Sequence, residues 1–500
     1  MKKLFMLATL AGTVSCLCLS SCGAYFGDGK YEHAPDGFFS DGNYKYDEIL
    51  EQDFCEVSET PSSYFSLDRN TAGYSLVRSQ IENGYKISAN SVRIEEILNY
   101  FDYDFPAPEE KAVGVSSYLS SCPWNEDNKL MLVGLKTKYF DLGDVDANYV
   151  FLVDVSGSMS GDTRLGLAKK GLNYLTDGLG NNDRVSIVTY ASGVKTVLDG
   201  GRCTDNGKLE IRNKISSLTA RGATNGGDGL ERAYKIAEKH FIEGGNNRVI
   251  IISDGDFNVG MNNKEQLKEF IQQKAESGVY LSVIGVGMGN MRDDILETLA
   301  TCGNGNYAYL DNETEARKVF SEELGGTLKT VAKDAKACVT FTENVEKYRL
   351  IGYDTKIISE DDFNNEDADT GELGSNLCVT ALYELVLSEN SGENGSDKLA
   401  QTEVRYKDVT GDAEINDSVS CVINLSSPSS DDLNFISCVA EFGLILRNSK
   451  YKGTASINSV LERLESLGGY ISGDVYKQEF VTLVGKASES GYYENAEENT

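Results

Sequence analysis

Between residues 148 and 330, short aliphatic runs alternate with amphipathic segments. The runs are Tyr149–Val153, Arg184–Tyr190, Arg248–Ile252, Val279–Val286 and Tyr307–Leu310. The segments between them carry apolar residues at helical spacing, over 164–179, 208–218, 227–241, 265–277 and 293–300, and 313–328 follows the last run. Strands this short that lack a polar face are buried on both sides. Helices between them are the crossovers that a parallel sheet requires. The pattern therefore predicts an α/β fold with a doubly wound, mainly parallel sheet. Ligand sites in such sheets lie beyond the carboxyl ends of the strands.

The flanks read differently. Residues 22–60 are rich in Gly, Asp, Tyr and Glu and poor in aliphatics, which predicts a solvated tether. Residues 61–147 predict a helix over 91–101, with Ser91 as N-cap, then strands at Val113–Tyr118 and Leu130–Leu135. Residues 331–486 predict an antiparallel β-sandwich over 337–425. Two closing helices follow, one starting after Ser430 and running to Arg447, the other over 455–466. An acidic tail, 487–500, ends the chain. Strands on both sides of the α/β region need partners, so the two groups are expected to share one sandwich with the α/β unit inserted between them.

Charge and residue usage exclude several functions. Lys plus Arg is 47 against 78 for Asp plus Glu, a net charge of −31, which argues against nucleic acid as a partner. Only two histidines occur, His33 and His240, which disfavours multi-histidine zinc sites and Ser-His-Asp catalysis. The cysteines form no CxxC pair, and their disulfide pairing stays open.

Three short motifs fall where the predicted topology brings residues to one sheet edge. Asp154-Val155-Ser156-Gly157-Ser158 follows the first strand. Gly222-Ala223-Thr224-Asn225 precedes a helix, and Ser253-Asp254-Gly255 follows the third strand. Asp154, Asp254, Ser156, Ser158 and Thr224 together offer hard oxygen donors. That set suits Mg²⁺ or Mn²⁺ and not Zn²⁺ or Cu²⁺. Gly157 and Gly255 let the backbone approach an ion closely.

Taken together, the motifs resemble the metal-ion-dependent adhesion site of von Willebrand factor type A domains. The resemblance implies that Ser156, Ser158 and Thr224 coordinate the metal through hydroxyls, and that Asp154 and Asp254 bind directly or through water. It also implies an open position for an acidic side chain of a protein partner. Asp228 departs from the pattern, where a small residue is expected; its carboxylate either strengthens cation binding or caps the helix. Further segments resemble bacterial YfbK-type proteins: Val92 to Glu96 with Asn99-Tyr100-Phe101, Cys122-Pro123-Trp124-Asn125, Gly303 to Tyr309 and Tyr348 to Tyr353.

At the N-terminus, Lys2 and Lys3 precede an apolar run too short to span a membrane comfortably. The run ends in Leu19-Ser20-Ser21-Cys22-Gly23, which resembles a bacterial lipobox. That implies removal of residues 1–21, lipid on Cys22 and a place in the cell envelope. Gly23 is no acidic inner-membrane retention signal, which favours an outer-membrane or surface location. The expected function is non-enzymatic: metal-dependent protein–protein adhesion or scaffolding. A structural envelope protein with a stabilising metal and a metal-assisted exported hydrolase are the alternatives.

Overall fold

The computed structural model describes residues 48–493, apart from 68, 141–145, 224–226, 256–263, 288–292, 324–329, 367, 369, 393–395 and 411–413. The described chain opens with β1 (Cys55–Glu56), β2 (Ser62–Ser66), α1 (Ala72–Glu82), α2 (Ile94–Leu98), β3 (Val113–Ser121) and β4 (Lys129–Thr137). The α/β unit follows. It comprises β5 (Ala147–Asp154), α3 (Leu167–Gly178), β6 (Arg184–Tyr190), β7 (Val194–Arg202), α4 (Asp205–Ser216), α5 (Gly227–Lys239), β8 (Asn246–Ser253), α6 (Lys264–Glu276), β9 (Val279–Val286), α7 (Asp293–Cys302), β10 (Tyr307–Leu310) and α8 (Glu313–Arg317). Next come β11 (Thr330–Phe341), β12 (Val345–Ile351), α9 (Glu360–Asn364), β13 (Gly371–Gly374), β14 (Cys378–Leu387), β15 (Lys398–Asp408) and β16 (Ile415–Asn424). The chain closes with α10 (Asp431–Arg447), α11 (Ile457–Ser466), α12 (Gly468–Ile471) and α13 (Val475–Glu489).

The α/β unit is a six-stranded sheet in the order β10-β9-β8-β5-β6-β7. Its neighbours are parallel except for β7, which lies antiparallel on β6 as an edge strand. Helices cover both faces. Phe151, Ile187 and Ile250 pack with Leu172 of α3 on one face. Val150, Leu152, Val188 and Ile251 pack with Leu230 and Tyr234 of α5 on the other. Burial on both faces is why these strands read as continuous aliphatic runs. The half-exposed β7 escaped that reading, since Gly200 and Gly201 blur its end and its register shifts twice against β6.

The other strands form a sandwich. One sheet has the order β1-β12-β14-β4-β3; the second has β13-β11-β15-β16, with β2 also on β11. β4 pairs with β14 in antiparallel register, Val133 opposite Ala381, so strands from both sides of the α/β unit share one sheet. Side chains alternate across this central sheet with the period of two that a strand imposes. Met131, Val133, Val379 and Tyr383 face the second sheet. Leu130, Leu132, Cys378 and Leu382 face a helical layer built from α1, α2, α10, α11 and α13.

Several expectations need correction. Residues 48–60, expected as tether, pack on the sandwich: Cys55 and Glu56 pair with Tyr348 and Lys347, and Phe54 sits edge-on to Tyr451. The rest of that segment, including Cys22, lies outside the described residues. Ser91 is not a helix N-cap. It ends a 3₁₀ turn at Ala89–Ser91, and α2 starts only at Ile94. Residues 92 and 93 stay extended, and the Val92 carbonyl accepts two hydrogen bonds from Arg447 (3.0 and 2.6 Å). α13 was not foreseen and runs into the segment expected as tail. Phe480, Leu483, Val484 and Ala487 are buried, and the Tyr493 hydroxyl accepts the Ile87 N–H at 3.2 Å. The helix expected over 313–328 is one α turn followed by a wider π turn, Lys318–Glu323. The eight cysteines of the described residues are all free thiols. No helix of the described residues is long and apolar enough to cross a membrane.

The last turn of the α/β unit fits onto α3 at Gly171. A Cβ there would lie 2.4 Å from the Phe320 ring. Gly171→Ala is therefore expected to cost about 1–3 kcal/mol, because the buried ring cannot withdraw freely. The check is the denaturant midpoint; a variant as stable as wild type would show that Phe320 repacks without cost.

Candidate metal centre

Asp154 is the last residue of β5, and Asp254 follows the end of the adjacent, parallel β8. Parallel pairing places both strand ends at the same edge, as the sequence requires. Both carboxylates are buried, at 0% and 3% exposure. Asp154 Oδ1 accepts the Ser156 N–H at 2.8 Å, which folds the Asp-x-Ser loop back over the strand end. The Ser253 hydroxyl lies 3.4 Å from Asp154 Oδ2. The Ser156 and Ser158 hydroxyls meet at 2.9 Å. Asp254 Oδ1 is buried with no hydrogen-bond partner among the described residues.

Arg221 and Gly222, shortly before Thr224, lie against the same edge. Gly157 donates its N–H to the Gly222 carbonyl (2.9 Å), and Arg221 donates its own to the Val155 carbonyl (2.7 Å). Thr224 itself lies outside the described residues. Gly222 has φ of +89° and would drive a Cβ to 2.5 Å from the Ser192 hydroxyl. Gly255 has φ of +95°, a left-handed turn that glycine adopts without strain. Asp228 stands exposed in the first turn of α5.

The electrostatics suit a cation. Burial raises the Asp154 carboxyl to about 6; the Ser156 hydrogen bonds oppose the rise and the Asp254 charge adds to it. Two buried carboxylates and paired hydroxyls, with one carboxylate oxygen left over, form an arrangement that lacks positive charge. The residues present fit a hard divalent ion: Asp154, Ser156, Ser158 and Asp254 would hold it, joined by Thr224 if its loop closes on the same edge.

Sequence reasoning missed three supports of this centre. Tyr190, at the end of β6, interacts with both Asp154 and Ser253. Ser192 accepts the Ala223 N–H at 2.9 Å and so steadies the loop before α5. Arg164 donates to the Ser158 carbonyl at 2.6 Å. None belongs to the three motifs. A tyrosine ending a buried strand reads as core, and an arginine in the following helix reads as solvent-facing.

Comparison with known proteins identifies the family. Residues 148–322 match the family model described as von Willebrand factor type A domain. Residues 326–489 match that described as Uncharacterized protein YfbK, C-terminal, and residues 40–132 match one described as von Willebrand factor. The chain is 34% identical to "Uncharacterized protein YfbK" of Escherichia coli (strain K12) over 468 residues, 89% of this chain and 81% of that one. It is 28% identical to inter-alpha-trypsin inhibitor heavy chain H3 of Mesocricetus auratus over 264 residues, 49% of this chain and 29% of that one. A solved von Willebrand factor type A structure from Catenulispora acidiphila aligns over 75% of this chain and 89% of its own, with TM-score 0.44 and 15% identity. The chain belongs to the YfbK family, and its α/β unit is a von Willebrand factor type A domain.

Proposed function

We propose that the type A domain binds a protein partner through a divalent cation, Mg²⁺ or Mn²⁺, held by Asp154, Ser156, Ser158, Thr224 and Asp254. An acidic side chain of the partner takes the open position on the ion. The domain's family points to protein–protein interaction or scaffolding. The observation that carries the metal reading is the buried Asp254 Oδ1, without a hydrogen-bond partner among the described residues, beside the buried Asp154. A cation there answers a desolvated pair of negative charges. The reading is of a binding protein and not of an enzyme. We further propose that lipid on Cys22 anchors the chain in the cell envelope, on the strength of the lipobox-like Leu19-Ser20-Ser21-Cys22.

Calorimetric titration of the metal-stripped chain with Mg²⁺ is expected to give saturable one-site binding, which Asp154→Ala abolishes. A folded wild type that binds neither Mg²⁺ nor Mn²⁺ would remove the metal from this account. For the anchor, Cys22→Ser is expected to move the chain from the membrane fraction to the soluble one. Retention of that variant in the membrane fraction would count against lipidation.

A further inference from the structure

A cleft of about 480 Å³ opens beside the metal candidates. Val155 and Gly222 are in its wall, and both belong to the loops that carry those candidates. Val155 lies between Asp154 and Ser156, and its carbonyl accepts the Arg221 N–H; the Gly222 carbonyl accepts the Gly157 N–H. The cleft and the candidate centre are thus two sides of the same pair of loops. Lys195, from the edge strand β7, and Arg221 also line it, and among the described residues no carboxylate does. Both cations are exposed, and neither forms an ion pair among the described residues; the Arg221 guanidinium donates to the Thr219 hydroxyl, at 2.9 Å.

This lining is opposite in sign to the chain as a whole, whose net charge is −31. The contrast matters physically. At physiological salt, charge is screened beyond about 8 Å, so an acidic segment at the cleft feels Lys195 and Arg221 more than the distant carboxylates. The volume lies within the range of clefts that enclose small ligands, roughly 300–1,000 Å³, and so admits an acidic side chain with its neighbours.

We infer that this cleft is a second anion subsite for the same partner, so that the domain recognises an acidic peptide segment carrying two carboxylates. One carboxylate ligates the metal; Lys195 and Arg221 hold the other. The inference rests on the metal-dependent reading above. Once the first carboxylate is fixed on the ion, the second is presented to the cleft at high effective concentration. Selectivity over singly acidic segments then comes from Lys195 and Arg221, which act alongside the metal and not through it.

The test uses the full chain with Mg²⁺ and an array of short synthetic peptides. Each peptide carries either one aspartate or two aspartates at varied spacing. Doubly acidic peptides at one or two spacings are expected to bind about tenfold more tightly than singly acidic ones, a difference of about 1.4 kcal/mol. Lys195→Ala combined with Arg221→Ala is expected to erase that preference, leaving calorimetric Mg²⁺ binding and the weaker singly acidic binding unchanged. Both side chains are exposed, so the variant folds as wild type does, and its melting midpoint checks this. A double variant that still prefers doubly acidic peptides would overturn the subsite, as would equal retention of both classes by wild type. Failure of the underlying reading has another signature: Asp154→Ala or chelator would leave peptide binding intact. Absence of any acidic-peptide binding in Mg²⁺ also overturns the subsite.

Discussion

In metal-free buffer, Asp254→Asn is expected to melt at a higher temperature than the wild type, and to lose the rise that Mg²⁺ gives the wild type. The two shifts have opposite signs because the same carboxylate is a burden without the ion and a ligand with it. Asp254 is 3% exposed, its Oδ1 has no hydrogen-bond partner among the described residues, and Asp154 beside it is fully buried. Removing one negative charge of similar shape relieves a desolvated repulsion, a gain of about 1–2 kcal/mol. In the wild type, Mg²⁺ at a hundredfold excess over its dissociation constant adds about 2.7 kcal/mol. That is several degrees in the melting midpoint of a domain of this size, at about 2–4 °C per kcal/mol. The measurement is thermal unfolding of both proteins in chelator and in Mg²⁺. An Asp254→Asn variant that melts lower in chelator would mean the carboxylate is held by contacts of its own. A variant that still responds to Mg²⁺ would place the ion elsewhere.

The candidate centre was largely legible because it depends on local pattern. Asp154 and Asp254 follow uninterrupted aliphatic strands, and parallel pairing of β5 with β8 brings those ends together with no further information. The sharing of a sheet by β4 and β14 was legible for a related reason: strands left on both sides of an inserted unit need partners. Other features were illegible for physical reasons. β1 is two residues long, and its place depends on pairing with β12, about three hundred positions away. β7 is an edge strand, so its solvent side breaks the aliphatic run that marked its neighbours. α13 carries a readable stripe at Phe480, Leu483, Val484 and Ala487, but Gly468, Gly469 and Gly473 before it suggest that ordered structure has ended. The cation cleft has no signal in sequence, since Lys195 and Arg221 come together only when the edge of the sheet and the loop before α5 are placed.

Arg78 is the largest single expectation that sequence could not supply. In α1 it stands in Ser75-Leu76-Val77-Arg78-Ser79, where an arginine reads as a solvated side chain. It is instead 1% exposed and bonds Asp311 (2.7 and 2.5 Å), Glu315 (2.7 Å), Glu479 (2.6 Å) and the Tyr100 hydroxyl (3.0 Å). These partners lie 22, 233, 237 and 401 positions away, so one guanidinium joins the type A domain to both ends of the helical layer. Arg78→Ala leaves Asp311 and Glu315 buried without their counter-charge and is expected to cost about 3–5 kcal/mol. The loss carries a pH signature. Burial already raises both carboxyls above their ordinary range, against the pull of Arg78. Without Arg78 their folded-state values rise further, and the folded variant binds more protons than the unfolded chain. Its stability therefore falls as pH rises through the raised range. The deficit against wild type is expected to be larger at about pH 8 than at about pH 5, read from denaturant midpoints at each pH. Arg78→Lys retains charge without the fork and is expected to fall between the two. Equal deficits at both pH values would assign the cost to lost packing of the guanidinium against Tyr74 and Tyr100, whose ring centroids lie 5.3 and 5.6 Å from it, and not to the stranded carboxylates.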